Sequence, residues 1–93
     1  MSYLLVVDEA AQDDLDDLAA DLRARLLARI EELTERPKPG ASKELTGSLR
    51  GYRSLRVGDY RIGYSLDEKA GEVTVWAVGH RRNIYERLAR RGA

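Results

Sequence analysis

The chain has no cysteine, a single histidine, two prolines and no apolar run longer than Tyr3 to Val7. Without cysteine there is no disulfide framework, no thiolate nucleophile and no zinc–thiolate site. That composition fits a reducing compartment. A run as short as Tyr3–Val7 cannot span a bilayer. The N-terminus also lacks the charged-then-apolar design of a secretory signal. A soluble, cytoplasmic protein with no membrane partner is therefore expected. With one histidine, any ordinary imidazole acid–base chemistry must use His80.

The 93 residues suit one small domain spanning 1–93. Such a domain buries only about two-thirds of its unfolded surface, so its stability margin is thin and a partner would add to it. The net charge is zero, but its distribution is uneven. Residues 1–22 carry seven carboxylates and no Lys or Arg, whereas the remainder carries nine carboxylates against sixteen basic side chains. An acidic helical face and a basic sheet-plus-tail face are expected.

Tyr3–Val7 is wholly apolar and predicts a short strand covered on at least one face. Asp8 is a candidate N-cap for a helix from Glu9 to Ala20, with Ala11, Leu15, Leu18 and Leu22 at helical spacing. The aspartates crowd its opposite and N-terminal positions, where the helix dipole favours them. Asp21 is a candidate cap for a second helix lined by Leu22, Leu26, Leu27, Ile30 and Leu33, which Pro37 and Pro39 terminate. Residues 36–51, rich in Pro, Gly, Ser and Lys, predict a loop. Strands are expected at about 52–57, 59–66 and 72–79, and Ile84, Tyr85 and Leu88 mark a C-terminal helix. The predicted fold is α+β, in the order β-α-α-β-β-β-α: a small, mostly antiparallel β-sheet with an N-terminal two-helix hairpin packed on one face.

Tyr52–Tyr64 interleaves arginines at 53, 56 and 61 with tyrosines at 52, 60 and 64 around a turn at Gly58-Asp59. Cations alternating with aromatics suit a phosphodiester partner. Strand alternation places Tyr60, Ile62, Tyr64 and Leu66 on one face, toward the helices, with Leu55 and Val57. Arg56 and Arg61 then project together from the opposite face. Arg53 falls on the inward parity unless a bulge re-aims it. A second cluster, Gly79-His80-Arg81-Arg82-Asn83-Ile84-Tyr85, follows the last strand. Alternation does not decide whether His80 or Arg81 faces Arg61, because both faces of that strand are apolar upstream. Tyr85 is open to two readings, a site residue or a core anchor beside Leu88.

The blocks L-R-V-G-D-Y-R-I-x-Y and V-G-H-R-x-x-I-Y, with the opening Y-x-L-x-V, an A-x-x-D-L segment and a K-x-L-x-G loop, resemble the RelE/ParE toxins of bacterial toxin–antitoxin modules. The resemblance covers nearly the whole chain and is stronger to the RelE branch. It implies a metal- and cofactor-independent, ribosome-dependent endoribonuclease. The 2′-OH of mRNA would attack the adjacent phosphate, giving a 2′,3′-cyclic phosphate and a free 5′-OH. It also implies that Arg61 and Arg81 contact the scissile phosphate, Arg56 adds charge, and Tyr85 is the candidate base, with His80 as the alternative acid or base. A free phenol titrates near 10, far from neutral. Arg53, Arg50, Lys43, Arg82, Arg87, Arg90 and Arg91 would hold RNA phosphates. Relatives often carry Lys or Arg where this chain has Ser54. The implied partners are a RelB-like antitoxin, in a heterotetramer, and the ribosome with its mRNA. Two other readings are a ParE-like gyrase inhibitor that cuts no RNA, and a catalytically weak antitoxin-binding co-repressor.

Overall fold

The computed structural model describes residues 2–91. Strand β1 (Leu4–Val7) leads into helices α1 (Glu9–Asp16) and α2 (Ala20–Glu32). Strand β2 (Ser42–Glu44) and a 3-10 turn (Gly47–Leu49) follow, then β3 (Arg53–Val57), β4 (Tyr60–Asp67), β5 (Glu72–His80) and helix α3 (Ile84–Arg91). The strands form one sheet in the order β1-β5-β4-β3-β2, antiparallel except for the parallel β1–β5 pair. The α+β class and the two-helix hairpin on one face are as expected from sequence. The loop expected over 36–51 instead contains β2 and the 3-10 turn. The first helix ends at Asp16, and α2 is entered through Ala19, which leaves Asp21 in its first turn rather than at the cap. Asp8 does cap α1, accepting from the Ala10 N–H at 3.2 Å.

One face of the sheet packs on α1 and α2. Ala11, Leu15, Leu26, Ile30 and Leu33 from the helices meet Leu55, Val57, Ile62, Tyr64, Val73, Val75 and Val78, all buried. The side chains that strand alternation turned inward are those found in this core. The buried Tyr64 hydroxyl donates to the Pro37 carbonyl at 2.6 Å and pins the proline segment to the sheet. Its single proton being used there, Ser42 donates to Tyr64 Oη (2.6 Å), and Arg53 Nε donates to Ser42 Oγ (2.9 Å).

The opposite face is covered in part by α3. Ile84 and Leu88 are fully buried against Leu45 and Ala77, beside Trp76 and Tyr52. The helix comes close enough that a Cβ built on Gly63 would lie 2.6 Å from both Leu88 methyls. A β-bulge enables this second core. Gly63 pairs with Ala77 but Tyr64 pairs with Val75, so Trp76 is an extra residue in β5. Trp76 and Ala77 therefore both face α3, while Val73, Val75 and Val78 face the helical hairpin. The Trp76 indole N–H finds Ser65 Oγ at 2.8 Å.

Because β1 stops at Val7, β5 has an open edge beyond Val75. Side chains close it. The Val78 N–H donates to an Asp14 carboxylate oxygen at 2.9 Å, Arg87 donates to Val78 O at 2.6 Å, and Arg91 donates to Trp76 O at 3.3 Å. Asp14 itself accepts from Arg91 Nη2 at 2.9 Å and through a second, shorter contact with Nη1, and lies 3.2 Å from Arg87 Nη1. Hydrogen bonding to Asp14 holds the Arg91 guanidinium above its ordinary pKa, against the opposing effect of burial. One carboxylate thus joins α1, β5 and α3. Among the described residues no helix is long and apolar enough to cross a membrane.

Two outcomes follow for equilibrium urea unfolding. Gly63→Val should cost about 1–3 kcal/mol by overpacking, whereas Gly40→Ala, which meets no neighbour, should be near neutral. Asp14→Ala should cost about 2–3 kcal/mol, below the ~3–5 of breaking a fully buried pair because both guanidinium partners keep solvent access.

Candidate functional site

Alternation along β3 and β4 sets two rows of side chains on the α3 side of the sheet. Lys43, Ser54, Gly63 and Ala77 are successive cross-strand partners in one row; Arg56, Arg61 and Gly79 form the next. The hairpin that carries them turns on Gly58, whose φ of 61° is the left-handed value required at the first position of a type II′ turn. Arg56 and Arg61 are direct cross-strand partners, an arrangement of like charges that destabilises a sheet. Among the described residues no carboxylate comes within ion-pair distance of either, nor of Lys43. Arg61 Nη1 instead rests on the turn carbonyls of Gly58 and Tyr60, each at 2.9 Å.

These side chains line a concave pocket of about 270 Å³, walled by Lys43, Arg56, Arg61 and Tyr85, with Ser54 among its lining residues. Tyr85 sits in the first turn of α3. Its neighbours Ile84 and Leu88 are buried, but Tyr85 itself is 36% exposed, so it is not a core anchor. The Lys43 ammonium lies 5.9 Å from the centre of the Tyr85 ring, within cation–π range. Ser54 is only 3% exposed, and its hydroxyl has no hydrogen-bond partner among the described residues. A larger cavity of about 480 Å³ opens between the end of α2 and the proline segment. It mixes Arg29 and Arg36 with Glu32 and Glu35, and its charges offset one another instead of converging on a ligand.

The remaining candidates are placed elsewhere. His80 is the main correction. The bulge at Trp76 resets alternation in β5, so His80 pairs with Tyr60 on the helical-hairpin side, its ring 5.7 Å from the Tyr60 ring in an edge-on contact. Its Nδ1 accepts the Arg82 N–H at 3.2 Å. It does not join Arg61. Arg81 continues past β5, its N–H bonded to Asp59 O at 2.8 Å and its Nε 3.8 Å from the Asp59 carboxylate, an exposed and therefore weak pair. Its guanidinium stands beside the hairpin turn, outside the pocket lining. Arg53 lies on the inward parity and is committed to Ser42 and, through it, to Tyr64. Arg87 and Arg91 are engaged with Asp14 and the β5 edge, and Arg90 pairs with Glu86. Arg50 and Arg82 are exposed on turns and are not among the residues lining the pocket. No cluster of three or more His, Asp or Glu able to hold a metal ion occurs among the described residues.

Sequence reasoning passed over two groups. Ser54 registered only as a departure from a basic residue; its burial depends on β2, which pairs Lys43 with it. Asp14 occupies a position within the apolar stripe of α1, between Ala11 and Leu15. A carboxylate at such a position is the signal that it has a buried partner.

A small, mostly antiparallel sheet with a helical hairpin on one face and a cation-lined pocket on the other is the arrangement of a toxin of the RelE/ParE type. The chain belongs to the ParE toxin family of type II toxin–antitoxin systems, whose model matches residues 5–85. It is 32% identical over 91 residues to toxin RelG of Mycobacterium tuberculosis, covering 94% of this chain and 100% of that protein. Its fold matches the M. tuberculosis toxin–antitoxin complex RelBE2 with a TM-score of 0.80 at 28% identity, over 87% of this chain and 93% of that one. It also matches a free variant of the E. coli toxin RelE, with a TM-score of 0.77 at 25% identity over 98% of each chain.

The split between Arg56 and Arg53 is directly testable. If the pocket takes RNA phosphates, as the resemblance implies, Arg56→Gln should weaken binding of a short single-stranded RNA and lower the slope of log affinity against log salt by about 0.7. Arg53→Gln should leave that slope unchanged and instead lower the urea midpoint, through loss of its bond to Ser42.

Proposed function

We propose that this toxin is a ribosome-dependent endoribonuclease that cleaves mRNA by 2′-OH attack, without metal or cofactor. The observation that carries this reading is the cluster of three cations, Lys43, Arg56 and Arg61, gathered around one pocket beside the Tyr85 phenol with no counter-ion among the described residues. Attack of the 2′-oxygen on phosphorus forms the new P–O bond as the bond to the 5′-oxygen breaks, leaving a 2′,3′-cyclic phosphate and a 5′-hydroxyl. The pentacoordinate intermediate gains negative charge. Guanidinium forks match its oxygens and keep their charge at any working pH. On this reading the deprotonated Tyr85 oxygen takes the 2′-OH proton, and a proton from solvent neutralises the departing 5′-oxygen. Arg81, at the rim beside Asp59, is free to swing inward, since its exposed ion pair is weak. The partner on this reading is a RelB-like antitoxin whose acidic segment covers the cationic pocket; the further partners are the ribosome and its message in the cytoplasm.

A second reading, inhibition of DNA gyrase without cleavage of RNA, is supported by the match to the ParE toxin model itself. Primer extension on programmed ribosomes separates the two. Purified toxin should generate new mRNA 5′ ends in the A-site codon. Arg61→Ala should reduce this cleavage at least ~100-fold, the scale of losing one donor to a developing oxyanion. Intact message together with loss of gyrase supercoiling would replace the first reading with the second.

A further inference from the structure

Ser54 has the one buried side-chain polar atom without a hydrogen-bond partner among the described residues. Leaving a hydroxyl in that state costs stability, and replacing it with a methyl group removes the cost. It is not isolated in the apolar core. Ser54 lines the pocket with Lys43, Arg56, Arg61 and Tyr85, and Lys43 is its direct partner across the β2–β3 ladder. Side chains of such partners have Cβ atoms about 5 Å apart and share a face. The Lys43 ammonium has no carboxylate partner among the described residues and is occupied only by the Tyr85 ring.

We propose that Ser54 and Lys43 form a two-part subsite for a non-bridging phosphate oxygen of the bound nucleic acid, the hydroxyl donating a hydrogen bond and the ammonium supplying the charge. The proposal rests on the reading that this pocket takes a phosphodiester. An anion entering the pocket draws the ammonium away from the Tyr85 ring, where the cation–π contact at 5.9 Å is weaker than a charge-assisted hydrogen bond. The hydroxyl beneath then gains its missing acceptor. On this account β2 returns, from the neighbouring strand, the positive charge that β3 lacks at Ser54. It also explains why a three-residue strand is paired there, since the pairing holds Lys43 opposite Ser54.

The test uses the full chain, freed of antitoxin, and a short RNA with a 2′-deoxy nucleotide at the scissile position, so that binding is read without cleavage. Lys43→Gln should lower the slope of log affinity against log salt by about 0.7, as loss of one phosphate contact to a single strand does. Ser54→Ala should weaken binding about tenfold with the slope unchanged, as loss of a hydrogen bond to a charged group does, while the urea midpoint stays the same or rises. The exchange K43S/S54K should restore both affinity and slope. An unchanged slope for Lys43→Gln, unchanged affinity for Ser54→Ala, or a lowered urea midpoint for Ser54→Ala would each overturn the subsite. If the wild-type protein binds with this pattern yet leaves ribosome-bound message intact, the subsite stands and the ribonuclease reading falls.

Discussion

The Asp14 carboxylate is the constraint on which the two halves of the molecule depend. Strand β1 is four residues long and leaves the outer half of β5 without a neighbour on one edge. An unpaired strand edge is both unstable and prone to association. Asp14, Arg87 and Arg91 bond the exposed backbone groups in place of a strand, and bond one another as they do so. The side chain of Asp14 is only 9% exposed, so its charge is tolerable only with those partners in place. The same contacts hold α3 down. Without them, α3 would rest on Ile84 and Leu88 alone, against a strand thinned to glycine at Gly63. Tyr85 is carried by α3, so a carboxylate on the first helix fixes the position of a phenol on the opposite side of the sheet.

The two faces of the sheet are built to different rules. On the helical-hairpin side no buried side-chain polar atom of the described residues lacks a partner: Arg53 donates to Ser42, Ser42 to Tyr64 and Tyr64 to the Pro37 carbonyl. On the α3 side, local rules are broken within one pocket. Two arginines oppose each other across the ladder, and among the described residues three cations lack counter-ions and a buried hydroxyl has no partner. Conflicts of this kind concentrate where a ligand resolves them. That contrast, more than any single residue, is the argument for the α3 side as the candidate functional face.

The inward and outward assignments in β3 and β4 were legible because both strands alternate cleanly, as Leu55, Val57, Ile62 and Tyr64 against Arg56 and Arg61. The helices were legible from their leucine spacing. Strand β2 was not, since Ser42-Lys43-Glu44 has no apolar alternation and owes its form to pairing with β3. The faces of His80 and Arg81 were undecidable for a definite reason: the bulge at Trp76 inverts the alternation of β5 part-way along, and no local residue pattern announces it. In the basic tail, Arg87 and Arg91 read as holders of RNA phosphates, and their contacts with Asp14 were not legible because that carboxylate lies more than seventy residues away.

The displacement of His80 changes what the pocket would have to do as a ribonuclease. The single histidine lies on the other face, and the pocket is left with cations, a hydroxyl and a phenol. General acid–base catalysis by a well-placed group contributes about 10²–10⁴-fold. Orientation of a nucleophile for in-line attack can supply about 7–11 kcal/mol, a far larger share. A site without an imidazole or carboxylate among its lining residues but rich in cations is thus suited to charge stabilisation of a phosphorane whose geometry is set from outside. Free RNA does not hold its 2′-oxygen in line with the leaving 5′-oxygen. A message threaded through a decoding centre is held on both sides of the scissile bond. Dependence on the ribosome follows on this reading from the composition of the pocket, because the toxin brings the charge and the ribosome brings the alignment.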